Sequence, residues 1–226
     1  MQLSDAELAD INRQLENKSS KEVIEWALGQ NKKTVVTTSF GFNSAVTLHM
    51  VTQVRQSVPV VWVDSGYNLK DAYVVAEELI QKLGLNIHVY NPVMSCSRRE
   101  AVHGANFGVP DNSEFEDFKY QVKLEPFQRA LEDLQPEIWI SGIRKEETKF
   151  RQKLGIVAMD ARGILKVSPL FNWTEDDISE YMMKYNLPNC RHYFDPTKVD
   201  SQTCLLYTSD AADEGLGVDL GGRRII

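Results

Sequence analysis

Residues 34–48 constrain the fold of this chain more than any other segment, because they predict a buried strand, a small-residue loop and a helix in succession. The β-branched Val35 and Val36 favour the strand. Ser39 and Gly41 then place backbone N–H groups at a helix start, where unpaired donors and the positive dipole end attract an anion. The glycine leaves room for a phosphate or sulfate to approach the backbone closely. Taken alone, the segment is equally well an ordinary βα turn.

Two later segments repeat the pattern of an apolar strand followed by polar residues. Residues 59–63 predict a strand that ends in the turn 64–67, and residues 137–141 predict another that leads into the loop 142–151. In an open parallel sheet, ligands bind beyond the carboxyl ends of the strands. We therefore expect the loops that follow these strands to face one crevice.

The loop after residue 141 carries four cations, which are Arg144, Lys145, Lys149 and Arg151. Bidentate arginine and point-charge lysine suit the oxygens of phosphate and sulfate. The alternative is a solvated helix face on which Glu146 and Glu147 pair with these cations. Because the run begins where a ligand would lie, the anion-binding interpretation is favoured.

Helical and strand patterns alternate along the chain. Residues 1–30 contain two amphipathic helical patterns, the second of which stops at Gly29. A crossover helix precedes Gly84, and residues 86–90 predict a third strand. Strands that alternate with helices predict an α/β fold, a parallel sheet with helices on both faces.

Composition argues against several classes of protein. The formal net charge of −7 is a poor match for nonspecific nucleic-acid binding, which needs a strong cationic footprint. No apolar stretch approaches the roughly 18 to 20 residues that span a bilayer, and the acidic start at residues 3–8 does not resemble a signal peptide. The three cysteines lack the spacing of a disulfide framework, which suits a reducing compartment. These features predict a cytoplasmic protein without nucleic-acid or membrane partners.

Together the loops resemble those of the phosphoadenylyl-sulfate reductase family, over roughly residues 20–190. The matching segments are Ser39-Phe-Gly41, Asp64-Ser-Gly-Tyr67, Lys123-Leu-Glu-Pro126, Gly142-Ile-Arg-Lys-Glu146 with Arg151, and Ile164 to Leu170 before Asn172-Trp173. Any one of these segments is a weak signal, whereas their combination is specific.

The resemblance implies an adenine-nucleotide α-hydrolase-like (PP-loop) fold. It also implies reduction of 3′-phosphoadenylyl sulfate to sulfite and adenosine 3′,5′-bisphosphate, in sulfate assimilation and cysteine biosynthesis. The Ser39 loop would hold the phosphosulfate, the Asp64 turn would lie near the adenosine, and the cations would neutralise the anions. The implied substrate-binding residues are Ser39, Phe40, Gly41, Asp64, Ser65, Gly66, Lys123, Gly142, Arg144, Lys145 and Arg151.

In the family, the nucleophile is a cysteine in a C-terminal Glu-Cys-Gly-Leu/Ile-His motif. Its thiolate attacks the sulfuryl sulfur, and reduced thioredoxin or glutaredoxin then cleaves the enzyme S-sulfonate. Relatives that act without the 3′-phosphate commonly hold a four-iron cluster, which needs four thiolates. Too few cysteines are present here, so the resemblance implies the cluster-free type with no bound cofactor or metal. A homodimer is also implied.

The cysteine motif does not occur in these 226 residues. The bases TGT CTC TTA TAC ACA TCT GAC GCT GCC GAC encode Cys204 to Asp213 and resemble a sequencing adapter, whose far end encodes residues 218–226. We therefore expect 204–226 to be an adapter-derived tail and Cys204 not to be the nucleophile, so that this chain binds nucleotide without turnover. The predicted organisation is an N-terminal helical segment (1–30), a nucleotide-binding domain (31–190), a truncated arm (191–203) and the tail.

Two other functions remain open. An ATP-pyrophosphatase-type adenylyltransferase would carry a Ser-Gly-Gly-x-Asp-Ser loop, and Phe40 and Asn43 count against it. A noncatalytic nucleotide-binding module is the other alternative.

Several thiols and imidazoles also have no firm assignment. Cys96 and Cys190 favour structural roles, as do the two histidines His49 and His88. The roles of His103 and His192 stay open, since an imidazole titrates near neutrality and could serve as a proton donor. No metal-ligand spacing links the histidines.

Overall fold

A computed structural model describes residues 3–104, 113–148 and 151–190. Within these ranges, six strands form one sheet. They are β1 (Thr34–Thr38), β2 (Pro59–Val63), β3 (Asn86–Tyr90), β4 (Ile138–Ile140), β5 (Val157–Met159) and β6 (Leu165–Val167).

Helices connect and flank the strands. They are α1 (Asp5–Leu15), α2 (Ser20–Gly29), α3 (Ser44–Val54), α4 (Lys70–Leu83), α5 (Cys96–His103), α6 (Ser113–Lys119), α7 (Glu125–Leu134) and α8 (Glu175–Lys184). A π-helical turn, Tyr120–Leu124, joins α6 to α7, and a short 3-10 turn covers Arg151–Lys153.

Strand order in the sheet is β3-β2-β1-β4-β6-β5, and every neighbouring pair is parallel except β5 with β6. The chain runs outward from β1 through β2 to β3 and then returns to place β4 on the other side of β1. This reversal makes the gap between the carboxyl ends of β1 and β4 the topological switch point, where open α/β sheets bind ligands.

The antiparallel strand is the one departure from the predicted parallel sheet among the described strands. A tight turn reverses the chain between β5 and β6, and the Asp160 carboxylate secures it by accepting from the backbone N–H groups of Arg162 and Ile164, at 2.9 and 2.8 Å. Gly163 adopts a φ of 81°, which suits glycine. The short turn leaves no room for the crossover that a parallel pair needs.

Helix boundaries follow local sequence signals. Capping boxes begin α1 at Ser4, α2 at Ser19 and α8 at Thr174. Helix α4 ends at Gly84, whose φ of 58° lets Leu85 donate back to the Ile80 carbonyl.

Apolar residues pack on both faces of the sheet. On one face, α1, α2, α3, α4 and α8 bury their side chains against Val36, Val60 and Ile140. On the other face, α7 packs against the central strands, with the rings of Phe127 and Trp139 5.0 Å apart. The structure therefore confirms the predicted α/β fold with helices on both faces.

Helix α1 is tied to the edge strand β5 by one side chain. The amide of Asn12 donates to the Val157 carbonyl at 2.9 Å and accepts from the Val157 N–H at 3.0 Å. This two-way exchange imitates the bonding of an additional strand. The amide also lies where a Cβ on Gly155 would stand.

No helix within the described ranges is both long enough and apolar enough to cross a membrane. Over the same residues, no group of three or more histidine, cysteine, aspartate or glutamate side chains is placed to hold a metal ion. Several predictions lie outside the described residues: those for Lys149, His192, Cys204, the arm and the tail.

Candidate functional site

A cavity of about 100 Å³ opens at the switch point between β1 and β4. Its polar lining comes from the end of β1, the first turn of α3 and the loop after β4. The lining residues are Thr37, Thr38, Ser39, Phe42, Asn43, Ser44, Thr47, Ser141, Gly142, Ile143, Arg144, Glu147, Leu170 and Ile178. Ser39, Gly142 and Arg144 are the sequence-predicted site residues among them.

The loop after β1 has an unusual backbone. Phe40 and Asn43 adopt left-handed φ values of 49° and 65°, which non-glycine residues adopt at a cost. Positive φ angles are most often found at glycine, but in this loop they belong to Phe40 and Asn43, on either side of Gly41. The Gly41 carbonyl accepts from the N–H and the hydroxyl of Ser44, at 3.3 and 2.9 Å, and this holds the loop against the start of α3.

Phe40 does not present its side chain to the cavity. Its ring is buried in the core, edge-on to Trp62 with ring centroids 4.9 Å apart. Its backbone N–H donates to the Thr38 hydroxyl at 3.0 Å. Phe40 thus anchors the loop in the core and is not among the residues that line the cavity.

Arg144 is the cation that lines the cavity, and its side chain is only 3% exposed. The guanidinium pairs with Glu175 at 2.6 Å, with Glu147 at 3.7 Å and with Glu146. Burial disfavours the charged form, but the carboxylates of Glu147, Glu175 and Glu146 outweigh it and raise the pKa of Arg144 above its usual value. Arg144 therefore carries a full positive charge into the cavity wall.

Glu175 links two parts of this wall. One of its oxygens accepts from Arg144, and the other accepts from the Asn43 amide at 3.0 Å. The carboxylate thus rests on the arginine and on the residue that precedes α3. These are groups to which an incoming anion would also bind.

The other two cations of this loop that the structure describes, Lys145 and Arg151, are not among the residues that line the cavity. Arg151 is 1% exposed and pairs with Glu147. The Lys145 ammonium donates to the Asn172 side chain at 2.9 Å, away from the lining. The pairing of cations with Glu146 and Glu147, which sequence analysis gave as the alternative, does occur: the buried Arg144 and Arg151 pair with Glu147, and Arg144 also pairs with Glu146, whose side chain is 42% exposed.

The turn after β2 is closed by its own hydrogen bonds. One carboxylate oxygen of Asp64 accepts from the Gly66 N–H at 3.0 Å, the Asn68 amide at 3.2 Å and the Tyr73 hydroxyl at 2.7 Å. The Ser65 hydroxyl accepts from the backbone N–H two residues later, at 3.3 Å. Asp64, Ser65 and Gly66 therefore build a rigid turn next to β1 and are not among the residues that line the cavity.

Gly66 has a φ of 80° and lies against α5. A Cβ there would be 3.3 Å from the Cβ and Sγ of Cys96, so the turn and the helix approach each other closely. Behind them, Tyr67 packs against Phe118, with ring centroids 5.6 Å apart.

Lys123 lies in the same neighbourhood as the Asp64 turn. It is buried in the π-helical turn, next to Val122 of the Phe118 cluster. On the other side of that cluster, the buried guanidinium of Arg99 lies 4.4 Å from the Phe118 ring centroid. Of the predicted site residues, Ser39, Gly142 and Arg144 line the cavity. Asp64, Ser65, Gly66 and Lys123 form a second group around the Asp64 turn, and Phe40, Gly41, Lys145 and Arg151 belong to neither lining nor turn.

Residues 33–197 match the family model of the phosphoadenosine phosphosulfate reductase domain. The chain belongs to this family. The matched segment contains every residue that lines the cavity and every residue of the Asp64 turn.

Curated relatives support the same family. A phosphoadenosine 5′-phosphosulfate reductase of a Synechococcus strain is 36% identical over 182 residues, covering 80% of this chain and 78% of that protein. One from Photobacterium profundum is 37% identical over 185 residues, covering 80% of this chain and 72% of its own length.

Solved structures support the fold. The crystal structure of phosphoadenylyl-sulfate reductase from Candida auris, a phosphate complex, matches with a TM-score of 0.75 at 25% identity, over 84% of this chain and 91% of that one. An FMN adenylyltransferase of Candida glabrata in complex with ATP matches with a TM-score of 0.54 at 14% identity, over 84% and 61%. The second likeness is one of fold alone. The predicted adenine-nucleotide α-hydrolase-like fold is therefore confirmed.

Sequence reasoning missed three polar residues at the cavity: Thr47 and Ser141, which line it, and Glu175, which bonds to Arg144 in its wall. Ser141 directly follows β4, and Thr47 lies in the first turn of α3, so both positions carried a usable signal. Glu175 comes from a helix start more than 120 residues after β1 in the chain. Nothing in its local sequence indicates that it reaches Arg144.

Cys190 lies directly beneath the cavity loop. Its Sγ donates to the Phe40 carbonyl at 3.1 Å and the residue is 4% exposed. Burial, with a smaller effect of Asp71, raises the pKa of this thiol to about 11. Cys190 is therefore a protonated packing residue at neutral pH.

The three histidines that the structure describes are not among the residues that line the cavity. His49 Nδ1 lies 2.8 Å from the Tyr181 hydroxyl, and burial, with a smaller effect of Lys82, lowers its pKa. His88 lies within β3, and His103 is the last residue of α5.

Proposed function

We propose that the chain is the nucleotide-binding part of a cluster-free phosphoadenylyl-sulfate reductase that uses reduced thioredoxin or glutaredoxin. The reaction is reduction of 3′-phosphoadenylyl sulfate to sulfite and adenosine 3′,5′-bisphosphate, in sulfate assimilation and cysteine biosynthesis. The observation that carries this proposal is the cavity at the switch point, where the Ser39 loop, the start of α3 and Arg144 converge in a chain of this family.

The charges and donors of the cavity support a phosphosulfate ligand. A guanidinium, hydroxyls and a helix N-terminus all favour bound anions. The buried Arg151 and the exposed Lys145 add positive charge to the loop that carries Arg144, and the buried Lys123 adds it beside the Asp64 turn. We assign the phosphosulfate to the cavity and the adenosine to the side of the Asp64 turn, which lies on the neighbouring strand β2.

The nucleophile has to be a thiolate that reaches the sulfuryl sulfur. Its attack breaks the bond between that sulfur and the bridging oxygen, and adenosine 3′,5′-bisphosphate leaves. A dithiol protein then reduces the S-sulfonate to sulfite and is itself oxidised to a disulfide. Cys190 does not suit this role because it is buried and its pKa is raised to about 11.

For the 226-residue chain we therefore propose nucleotide binding without turnover, and we interpret residues 204–226 as an adapter-derived tail that adds nothing to the site. The three cysteines of the 226-residue chain are fewer than a four-iron cluster needs. A cytoplasmic homodimer without nucleic-acid or membrane partners completes the proposal.

Three proteins test the proposal. The first is the 226-residue chain, and the second carries the C-terminal segment of the Synechococcus relative in place of residues 204–226. The third is that same hybrid with the cysteine of the added segment changed to serine. Binding of 3′-phosphoadenylyl sulfate is measured by calorimetry, and sulfite release is measured with reduced thioredoxin.

We expect all three proteins to bind the nucleotide and only the second to release sulfite. Failure of all three to bind would overturn the substrate assignment. Sulfite release by the first protein that survives Cys204→Ser would overturn the claim that it lacks a nucleophile. Isotope exchange between pyrophosphate and ATP would support an adenylyltransferase instead, and tight binding without sulfite from the hybrid would support a noncatalytic module.

A further inference from the structure

Two buried hydroxyls at the inner end of the cavity have no hydrogen-bond partner among the described residues. They are Thr47 Oγ1, on the first turn of α3, and Ser141 Oγ, directly after β4. The two residues are 4% and 2% exposed, and both line the cavity. A buried hydroxyl without a partner costs on the order of 1 to 3 kcal/mol, so such a pair on one cavity wall calls for a physical reason.

Gly142, directly after Ser141, lets the Thr47 hydroxyl approach this end of the loop closely. A Cβ on Gly142 would lie 2.8 Å from Thr47 Oγ1, closer than real Cβ atoms approach other groups. Glycine is therefore needed for the Thr47 hydroxyl to stand at the cavity wall beside Ser141. The cavity volume of about 100 Å³ is far above the ~10 to 15 Å³ that a single water needs.

We infer that Thr47 and Ser141 form an oxyanion-binding pair, in which both hydroxyls donate to oxygens of the substrate's phosphosulfate group. This inference rests on the proposed function and deepens it. The pair completes a set of donors whose other members are Arg144 and the start of α3.

The neighbouring charges favour an oxyanion over a neutral group. Arg144 donates only, and burial beside it strengthens hydrogen bonds to a negative charge. The carboxylate that lines the cavity, Glu147, accepts from the Arg144 backbone N–H at 3.1 Å and pairs with Arg151. It is held by these partners and leaves the hydroxyl pair to the ligand.

Thr47→Val and Ser141→Ala test the pair in the 226-residue chain. Each is expected to weaken binding of 3′-phosphoadenylyl sulfate by about tenfold, because a hydrogen bond to a charged group is lost. Each is also expected to leave the melting temperature of the unliganded protein unchanged or raised, since an unpartnered hydroxyl is removed. Thr47→Ser keeps the hydroxyl and is expected to restore affinity.

Thr52→Val is the matched control on the same helix. The Thr52 hydroxyl is buried but donates to the carbonyls of Leu48 and His49, at 3.0 and 2.9 Å, away from the cavity. Its loss is expected to lower the melting temperature by about 2 to 4 °C and to leave nucleotide binding unchanged. Substitution of Thr47 is thus predicted to weaken nucleotide binding without lowering the melting temperature. Substitution of Thr52 is predicted to lower the melting temperature without weakening nucleotide binding.

A comparison of 3′-phosphoadenylyl sulfate with adenosine 3′,5′-bisphosphate, which lacks the sulfuryl group, locates the oxyanion. Loss of affinity for 3′-phosphoadenylyl sulfate with unchanged affinity for adenosine 3′,5′-bisphosphate supports contact with the sulfuryl group. Loss for both ligands supports contact with the 5′-phosphate.

Two results overturn the inference. One is unchanged affinity of both variants for both nucleotides, and the other is an equal loss of affinity for adenosine, which carries no oxyanion. Absence of nucleotide binding by the unsubstituted chain is a different outcome, because it overturns the proposed function itself.

Discussion

The loops after β1 and β2 follow neighbouring parallel strands, yet they are built in opposite ways. After β2, the Asp64 carboxylate satisfies the turn from within, since Gly66, Asn68 and Tyr73 all donate to it. After β1, two residues hold left-handed backbone angles, and hydroxyls on the adjoining wall have no partner among the described residues. The Asp64 carboxylate after β2 has its bonds made without a ligand, whereas the wall beside the β1 loop has two hydroxyls with bonds left to make.

The difference shows where each loop obtains its shape. The bonds from Gly66, Asn68 and Tyr73 to the Asp64 carboxylate are local, within ten positions, and the Asn91 amide next to β3 adds two longer-range bonds to Asp64, at 3.2 and 3.4 Å. The β1 loop is held by distant parts of the chain: the Phe40 ring lies in the core on Trp62, and Cys190 donates to the Phe40 carbonyl. Strained backbone persists only where surrounding structure fixes it, and it is characteristic of binding sites. Substitutions in the Asp64 turn should therefore change stability, and those in the β1 loop and at the cavity beside it should change binding.

Arg144→Ala is expected to have the largest effect. Loss of a charge-assisted, bidentate donor is predicted to weaken binding of 3′-phosphoadenylyl sulfate by about 100-fold or more. Calorimetric titration measures this. Lys32→Ala is the control, because Lys32 forms an exposed pair with Glu137 before β4 begins. Equal losses in both variants would show that net charge, rather than the cavity, governs binding.

Asp64→Ala is expected to act on stability instead. Removing the acceptor for Gly66 N–H, Asn68 and Tyr73 is predicted to lower the free energy of unfolding by about 2 to 3 kcal/mol. Urea denaturation measures the loss. Binding of inorganic pyrophosphate, which needs only the cavity, is expected to stay unchanged well below the melting temperature. A parallel loss of pyrophosphate affinity would remove the distinction between the two loops.

Alkaline pH should weaken the same turn. Burial of Tyr73, with its hydrogen bond to Asp64, raises its pKa from 10 to about 12. A group whose pKa is raised on folding stabilises the protein below its unfolded pKa and loses this contribution as pH rises, here between about pH 10 and 12. The stability difference between the unsubstituted chain and Tyr73→Phe is therefore expected to shrink across that window in urea titrations. A constant difference would contradict it.

Glu175→Gln is expected to have the smallest effect, and in the favourable direction. The carboxylate competes with the ligand for Arg144 and Asn43, so neutralising it is predicted to tighten nucleotide binding by about two- to fivefold. Asp176→Asn removes the same charge from the next residue, which is exposed. Equal tightening in both variants would indicate a general charge effect.

Local signals in the sequence account for most of the fold. Val35 and Val36 predict β1, Gly84 marks the end of α4, and alternation of strands and helices predicts layers on both faces. Each of these depends on residues close together in the chain. The antiparallel β5 was not predicted, because the strand is only three residues long and its direction depends on the turn at Asp160.

The cavity lining was predictable where it follows strand ends. Ser39, Gly142 and Arg144 line the cavity, as proximity to β1 and β4 suggests. The side-chain direction of Phe40 was not readable from its loop, because a left-handed φ turns the ring into the core. Contacts across more than a hundred positions, such as Glu175 to Arg144, leave no trace in local patterns.

The bond that α1 makes through Asn12 bears on self-association. An outermost strand offers bare amide and carbonyl groups to any extended peptide, which invites intermolecular sheet growth. At β5, the Asn12 amide already occupies both groups of Val157. One side chain of α1 therefore blocks strand addition at this edge of the sheet. Asn12→Ala is expected to leave the Val157 N–H and carbonyl unpaired and to lower the concentration at which the protein aggregates.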